Sequence, residues 1–268
     1  MNLDGKRILI TGGSSGIGLA TARALGARGG RIVITGRDAA RGAGAAEMLR
    51  AEGKQATFLS ADVATEAGRE TTLRAAVTLH GGLDILVNNA GAVRAGTLEA
   101  MAESEIRAMI EVDLVAPILL ARAALPHLRA SGEGLVVNVT SAIALVGLPF
   151  YAVYAAAKAG LARFGESLRR EQDGEGVRIL TVYPGGTDTP MMASSRAGPE
   201  LGFAKESAEA VAEAIAAGIE DEAFEVVRGG EARARMIALN AGDPLAVDRM
   251  FAPMKAALAE AVRDHSAL

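Results

Sequence analysis

The stretch Arg7-Ile8-Leu9-Ile10-Thr11-Gly12-Gly13-Ser14-Ser15-Gly16-Ile17-Gly18 joins a short apolar run to a glycine-rich turn, and an Ala/Leu-rich segment continues to about Gly29. The apolar run reads as a buried strand and the Ala/Leu segment as a helix. Gly12, Gly16 and Gly18 follow the spacing G-x-x-x-G-x-G. Such glycines let the chain turn tightly out of a strand, let backbone approach a pyrophosphate, and let helix pack closely on strand. The helix that starts there offers free N–H groups and a positive dipole end to phosphates. A glycine-rich turn with no ligand has the same local pattern, so the rest of the chain must decide between them.

Working outward, the same alternation repeats. Residues 31–35 read as a strand, 38–52 as a helix, 56–60 as a weaker strand, and a polar helix runs on to about residue 79. Strands at 83–88 and 135–140 bracket a long predicted helix near 103–130; a helix at 154–172 and a strand at 177–183 follow. Near-continuous apolar strands alternating with helices imply an α/β fold, a doubly wound parallel sheet of Rossmann type with helices on both faces. Residues 184–202 are rich in Gly, Pro, Ser and Met and read as a loop long enough to suspect function. A helix at 207–219 capped by Ser207 and a last strand at 223–227 come next, and from Glu231 the tail is Ala-rich and helical, broken around Gly242-Asp243-Pro244. No linker divides the chain. Residues 1–230 are therefore expected to form one dinucleotide-binding and catalytic domain, with 231–268 as its helical extension.

The bulk numbers agree with one domain. At 268 residues and 50% hydrophobic content the chain suits a single large α/β unit. Aromatics make up 3% and Trp is absent, so the core must rest on Ala, Val, Leu and Ile. A net charge of −4 argues against nucleic acid or an anionic membrane as partner. With no cysteine there are no disulfides, zinc thiolates or cysteine nucleophiles, and the three scattered histidines give no metal spacing, so no metal is expected. The N-terminus lacks a signal-peptide pattern and no stretch has the length and apolarity of a membrane span, so a soluble cytoplasmic protein is expected.

Two clusters carry chemistry. The second strand ends Thr35-Gly36-Arg37-Asp38. An acidic residue there would bind the ribose hydroxyls of NAD, whereas Arg37 beside a small Gly36 suits the 2′-phosphate of NADP. Asp38 reads as a helix N-cap, Arg41 as an assistant or a surface residue, and NADP(H) is favoured over NAD(H). Further on, Ser141 ends a strand, Tyr154 follows 13 residues later, and Lys158 stands four beyond it, on the same helix face. A phenol with a pKa of about 10 is a poor base until a nearby ammonium favours the phenolate. Ser141 can hold a substrate oxygen while Tyr154 gives or takes its proton. Tyr151 has Ala155 rather than lysine four residues on and is set aside.

With Asn88-Asn89-Ala90-Gly91, Asp62-Val63 and Pro184-Gly185 added to these motifs, roughly residues 5–190 resemble the short-chain dehydrogenase/reductase family. The resemblance implies that Gly12, Ser14, Ser15, Gly16, Ile17 and Gly18 border the pyrophosphate, that Asp62 and Val63 meet the adenine, and that Asn88 steadies the central strands. It implies that Asn89, Ala90 and Gly91 pass the ribose, that Lys158 holds the nicotinamide ribose as well as tuning Tyr154, and that Pro184, Gly185, Thr187 and Thr189 meet the carboxamide and phosphates. One position departs: where the family usually has an asparagine holding a water in the proton relay, this chain has Asp113. Its carboxylate would favour a charged Lys158 but oppose the Tyr154 phenolate. The glycine-rich ending common in tetrameric, acyl-reducing members is also missing, which weakens the case for acyl-carrier substrates.

The expected function is NADP(H)-dependent hydride transfer between nicotinamide and a small-molecule carbonyl or secondary alcohol, as a reductase of a ketone or aldehyde with an apolar body. The alternative is a non-catalytic redox sensor on the same fold, which would have no need of Ser141, Tyr154 and Lys158 together. Residues 142–146, Pro149-Phe150 and Met191-Met192 suggest an apolar pocket, and Arg94 and Arg196 could bind an acidic group or be plain surface arginines. The resemblance alone implies a homodimer or homotetramer.

Overall fold

Ile8, Leu9 and Ile10, Ile32, Val33 and Ile34, and Ile85, Leu86 and Val87 are all fully buried, so side chains on both faces of these strands are covered. That is the condition of the middle of a parallel sheet clad by helices on each side. The computed structural model describes residues 1–268. In chain order it runs β1 (Arg7–Thr11), α1 (Gly16–Ala27), β2 (Arg31–Gly36), α2 (Ala39–Ala51), β3 (Gln55–Ser60), α3 (Glu66–His80) and β4 (Ile85–Asn88). A two-residue β5 (Val93–Arg94) precedes α4 (Glu103–Ile110), α5 (Ala116–Ala130), β6 (Gly134–Val139), α6 (Ala152–Glu171) and β7 (Val177–Tyr183). Then come β8 (Gly186–Asp188), β9 (Lys205–Ser207), α7 (Ala208–Glu220) and β10 (Glu225–Val227). The chain ends with α8 (Gly230–Gly242), α9 (Pro244–Phe251), α10 (Lys255–Val262) and β11 (Ser266–Ala267).

The main sheet has seven strands in the order β10-β7-β6-β4-β1-β2-β3, and every neighbouring pair is parallel. From β1 the chain winds outward to β2 and β3, then returns to place β4 on the other side of β1. The C-terminal ends of β1 and β4 therefore flank the point where winding reverses, where an open parallel sheet leaves a crevice for a ligand. Side-chain alternation divides the core. Ile8, Ile10 and Ile34 pack with Leu25, Leu49, Val211 and Ile215 on one face, while Leu9, Val33 and Leu86 pack with Leu73, Leu120 and Leu168 on the other. Ser207 caps α7 as expected, its Oγ accepting the Ala210 N–H at 3.1 Å.

Two expectations need correction. The helix anticipated over 103–130 is interrupted by a wide turn at Glu111–Val115, where the Ala116 N–H bonds back to the Glu111 carbonyl. Pro117, in the first turn of α5, has no N–H, and its ring would strike the carbonyl four residues earlier, that of Asp113; widening the turn relieves this. Residues 184–202 are also not one structureless loop. β8 pairs in parallel with β9 just beyond it, and short 3₁₀ turns stand at Pro190–Met192 and Pro199–Leu201. Strands of three residues are too short to show an alternating pattern in sequence.

Candidate active site

The glycine-rich turn leaves β1 at the reversal point. Gly12 and Gly16 have φ of +64° and +52°, in the region that excludes most side chains. Gly18 serves packing: a Cβ there would lie 2.4 Å from both the Gly12 oxygen and Asn89 Nδ2. The Asn89 amide donates to the carbonyls of Thr11 at 2.9 Å and Gly12 at 3.2 Å. Thr11 Oγ1 in turn accepts the N–H groups of Asn89 and Ala90, each at 3.0 Å. The segments after β1 and β4 thus hold one another across the crevice. Ser15 stands at the α1 N-cap with no side-chain bond to the first turn, which leaves that turn's N–H groups without protein partners.

A cavity of about 320 Å³ opens here, bordered by Gly12, Ser14, Ser15, Gly16 and Ile17 on one side and by Asn89, Ala90 and Gly91 on another. Asp62, Val63 and Arg37 border its outer end, and Tyr154, Lys158 and Thr189 its inner end. Asp38 caps α2, accepting the Arg41 N–H at 2.9 Å, and pairs with the Arg41 side chain at 3.4 Å. Arg37 is exposed beside them and makes no ion pair. Asn88 is buried and donates to Asn138 Oδ1 at 3.0 Å, across the β4–β6 pair.

At the inner end, α6 carries Tyr154 and Lys158 one turn apart. Lys158 is buried, with Nζ 3.0 Å from Asp113 Oδ1, 3.4 Å from the Val139 carbonyl and 5.7 Å from the centre of the Tyr154 ring. Asp113 is fully enclosed in the wide turn. Its Oδ1 also accepts the Ala92 N–H at 3.2 Å, while Oδ2 has no partner in the protein. A Cβ on Gly91 would come within 2.8 Å of Asp113 Oδ1 and 3.3 Å of Lys158 Nζ, so the pair needs glycine there. Ser141, at the end of β6, accepts the Ile143 N–H at 3.3 Å.

Charge in this cluster has a definite balance. Burial pushes the Tyr154 phenol up; Lys158 pulls it down, Asp113 pushes it further up, Ser141 pulls it down, and the net is upward. Burial works against the Lys158 ammonium, but Asp113 and Tyr154 together raise its pKa above the ordinary lysine value. Burial likewise pushes the Asp113 carboxyl up, against the pull of Lys158. Where the family's usual asparagine would hold a water, the Asp113 carboxylate reaches Lys158 directly.

A second cavity, about 930 Å³, opens on the other side of Tyr154. Ser141, Pro184, Gly185 and Thr187 border it, and Ile17, Tyr154 and Thr189 border both cavities. Ala142, Ile143, Val146, Met191 and Met192 contribute apolar lining as expected. Pro149 and Phe150 do not, because Phe150 packs instead against the apolar cluster that joins Val93 and Tyr151 to Leu258 and Val262. That cluster seats the returning tail. β11 pairs antiparallel with β5, and the Ala95 N–H bonds to the His265 carbonyl at 3.0 Å. Buried His265 has Nε2 3.0 Å from the Met191 carbonyl and Nδ1 2.8 Å from the Tyr151 hydroxyl. A carbonyl only accepts, so Nε2 carries the proton and Nδ1 of the neutral ring accepts from Tyr151. His265 therefore ties the tail to the loop after β7 and, through Tyr151, to the start of α6, a task with no sequence signal. Arg94 and Arg196 are both committed, to Glu105 at 3.2 Å and Glu260 at 3.3 Å.

This arrangement of switch-point crevice, tyrosine and buried lysine has relatives. A family model described as short chain dehydrogenase matches residues 6–200. The chain belongs to that family. A short chain dehydrogenase from Burkholderia cenocepacia, solved in complex with NADP, superposes with a TM-score of 0.79 at 32% identity, over 86% of this chain and 98% of that one. Ketoacyl reductase HetN of a Nostoc species is 30% identical over 93% of this chain and 89% of its own length. The 3-oxoacyl-[acyl-carrier-protein] reductase FabG of Vibrio cholerae is 36% identical over 71% of this chain and 77% of its own length. This short-chain dehydrogenase is thus a NAD(P)-dependent oxidoreductase acting on a small molecule, with the Rossmann-type parallel sheet of its family. No helix is long and apolar enough to cross a membrane.

Proposed function

We propose that the protein reduces a ketone or aldehyde with an apolar body, using NADPH, with Tyr154 as general acid. The observation that carries this reading is that Tyr154 stands where the nucleotide cavity meets the apolar one, one helical turn from a buried lysine and beside Ser141. The nucleotide cavity fits a dinucleotide: unpartnered N–H groups at the α1 N-terminus await an anion. Gly16, Ile17 and Thr189 would border the pyrophosphate, Asp62 and Val63 the adenine, Ala90 and Gly91 the ribose, and Pro184, Gly185 and Thr187 the carboxamide. When bound, the nicotinamide supplies the hydride. Ser141 would hold the carbonyl oxygen, Tyr154 would protonate it, and Lys158, kept charged by Asp113, would hold the ribose hydroxyls and stabilise the phenolate left behind. Arg37, exposed and unpaired where a 2′-phosphate would lie, supports NADP over NAD. The raised Tyr154 pKa supports an acid working in the reducing direction.

Initial rates with NADPH and NADH against apolar and polar carbonyls test this. NADPH should be consumed fastest with apolar carbonyls, and Arg37→Ala should weaken NADPH about tenfold or more while leaving NADH unchanged. Tight NADPH binding with no turnover on any carbonyl, or on any alcohol in reverse, would move the sensor reading ahead.

A further inference from the structure

The 930 Å³ cavity extends from Tyr154 to the tail helices, where Met236, Met250, Phe251 and Met254 line it together with Arg233. Three other charged groups border the cavity. Arg228 is bound to Glu206 at 2.6 Å and so is Glu206 to it, and Lys205 is exposed to solvent. Arg233 is different: it is half-buried, forms no ion pair, and burial is the one influence that acts on its guanidinium. Its neighbour on the same helix, Arg235, is already paired with Glu231 at 3.1 Å.

The position of Arg233 is built. Gly229 and Gly230 both have left-handed φ, +103° and +55°, and turn the chain sharply into α8. A Cβ on Gly229 would lie 3.0 Å from Arg233 Cβ, so the bare glycine lets the arginine stem lie over the turn. Arg233 also sits near the N-terminal end of α8, where the helix dipole disfavours a cation. An arginine cannot lose its charge by giving up a proton, and drawing an unpaired charge part-way out of water is unfavourable. A ligand anion would relieve both, pairing with the guanidinium fork and meeting the positive end of the helix.

We propose that Arg233 recognises a carboxylate at the far end of the substrate, with the methionine-lined cavity holding the apolar body between that carboxylate and the carbonyl at Tyr154. The placement of the carbonyl rests on the reductase reading; the anion site does not. A carboxylate matches the planar fork with two parallel hydrogen bonds, and the flexible methionines suit a body of variable shape.

Calorimetric titration of decanoate and decanamide, which carry no reducible carbonyl, separates the two readings. Wild type should bind decanoate about tenfold tighter than decanamide, as a charge-assisted pair requires. Arg233→Gln should erase that preference with decanamide affinity unchanged, Arg233→Lys should keep part of it, and Arg235→Gln should keep all of it, each variant checked for fold by circular dichroism. Equal binding of the two ligands by wild type, or a preference that survives Arg233→Gln, overturns the assignment. Tighter binding of decyl phosphate than of decanoate overturns the choice of carboxylate. If the preference and its loss are seen while no carbonyl is ever reduced, the reductase reading fails and the Arg233 assignment stands.

Discussion

The two cavities that meet at Tyr154 are made in different ways. The nucleotide side is built mainly from segments directly following the strand ends, held by backbone bonds and by side chains as small as Thr11 and Asn89. The substrate side is assembled from distant parts: β5, the segment after β6, the β8–β9 region, the tail helices and His265. A dinucleotide presents the same phosphates and riboses to every protein that binds it, and a backbone cradle on a rigid sheet suits that constancy. Substrates differ, and a wall made from a C-terminal tail can be replaced without disturbing the sheet. The matching family model stops at residue 200, before α8, α9 and α10 begin.

If the nucleotide side is the rigid one, crowding it should do the most damage. Gly18→Val would force atoms into the Gly12 carbonyl and the Asn89 amide. Overpacking of this sort should cost about 3 kcal/mol and lower the melting temperature by roughly 10 °C, with NADPH binding lost. A calorimetric scan showing unchanged stability and affinity would break the contrast.

The tail should affect the substrate side most, since only its last residue, Leu268, borders the nucleotide cavity. His265→Ala removes both of its side-chain hydrogen bonds and should raise substrate KM by about tenfold, on the scale of one or two such bonds, while the NADPH dissociation constant stays within about twofold. Acid should act in the same direction. Burial holds the His265 imidazole below its ordinary pKa, so the unfolded or undocked chain takes the proton more readily, and the contribution of the docked tail is lost as pH falls through the ordinary imidazole range. A His265→Ala variant with weakened NADPH binding and unchanged KM would show that the tail serves the nucleotide instead.

A smaller effect is expected where the two sides join. Asp113 pushes the Tyr154 phenol up, so Asp113→Asn should lower the tyrosine pKa. In reduction, which needs the neutral phenol, the alkaline fall in rate should then begin at lower pH; in oxidation, which needs the phenolate, the rise should begin at lower pH. An alkaline limb that does not move in either direction would show that the carboxylate and the phenol are uncoupled.

The same division governs what could be read from the sequence. The strands, the glycine spacing and the Tyr154–Lys158 pair are legible because each depends on neighbours within a turn or two, whereas Ser141, 13 residues ahead of Tyr154, is marked by its place after a strand and by the family resemblance. Asp113 was legible as a departure, but its direct contact with Lys158 depends on the widened turn ahead of Pro117 and on the bare Gly91 opposite. Tyr151 and His265 are 114 residues apart and meet only once the tail returns, so nothing local marks them. Arginines are the hardest case. Arg94, Arg196 and Arg233 look alike in sequence, and which one is left without a carboxylate is settled by where Glu105 and Glu260 come to lie.

The most direct test of the account is the replacement that removes one oxygen from the junction. Tyr154→Phe should lower kcat for the best carbonyl by about 10²- to 10⁴-fold, the usual contribution of a positioned proton donor, with NADPH affinity unchanged. A Phe variant that reduces the same carbonyl within a few-fold of wild type would contradict it, and the proton would have to come from elsewhere in the cavity.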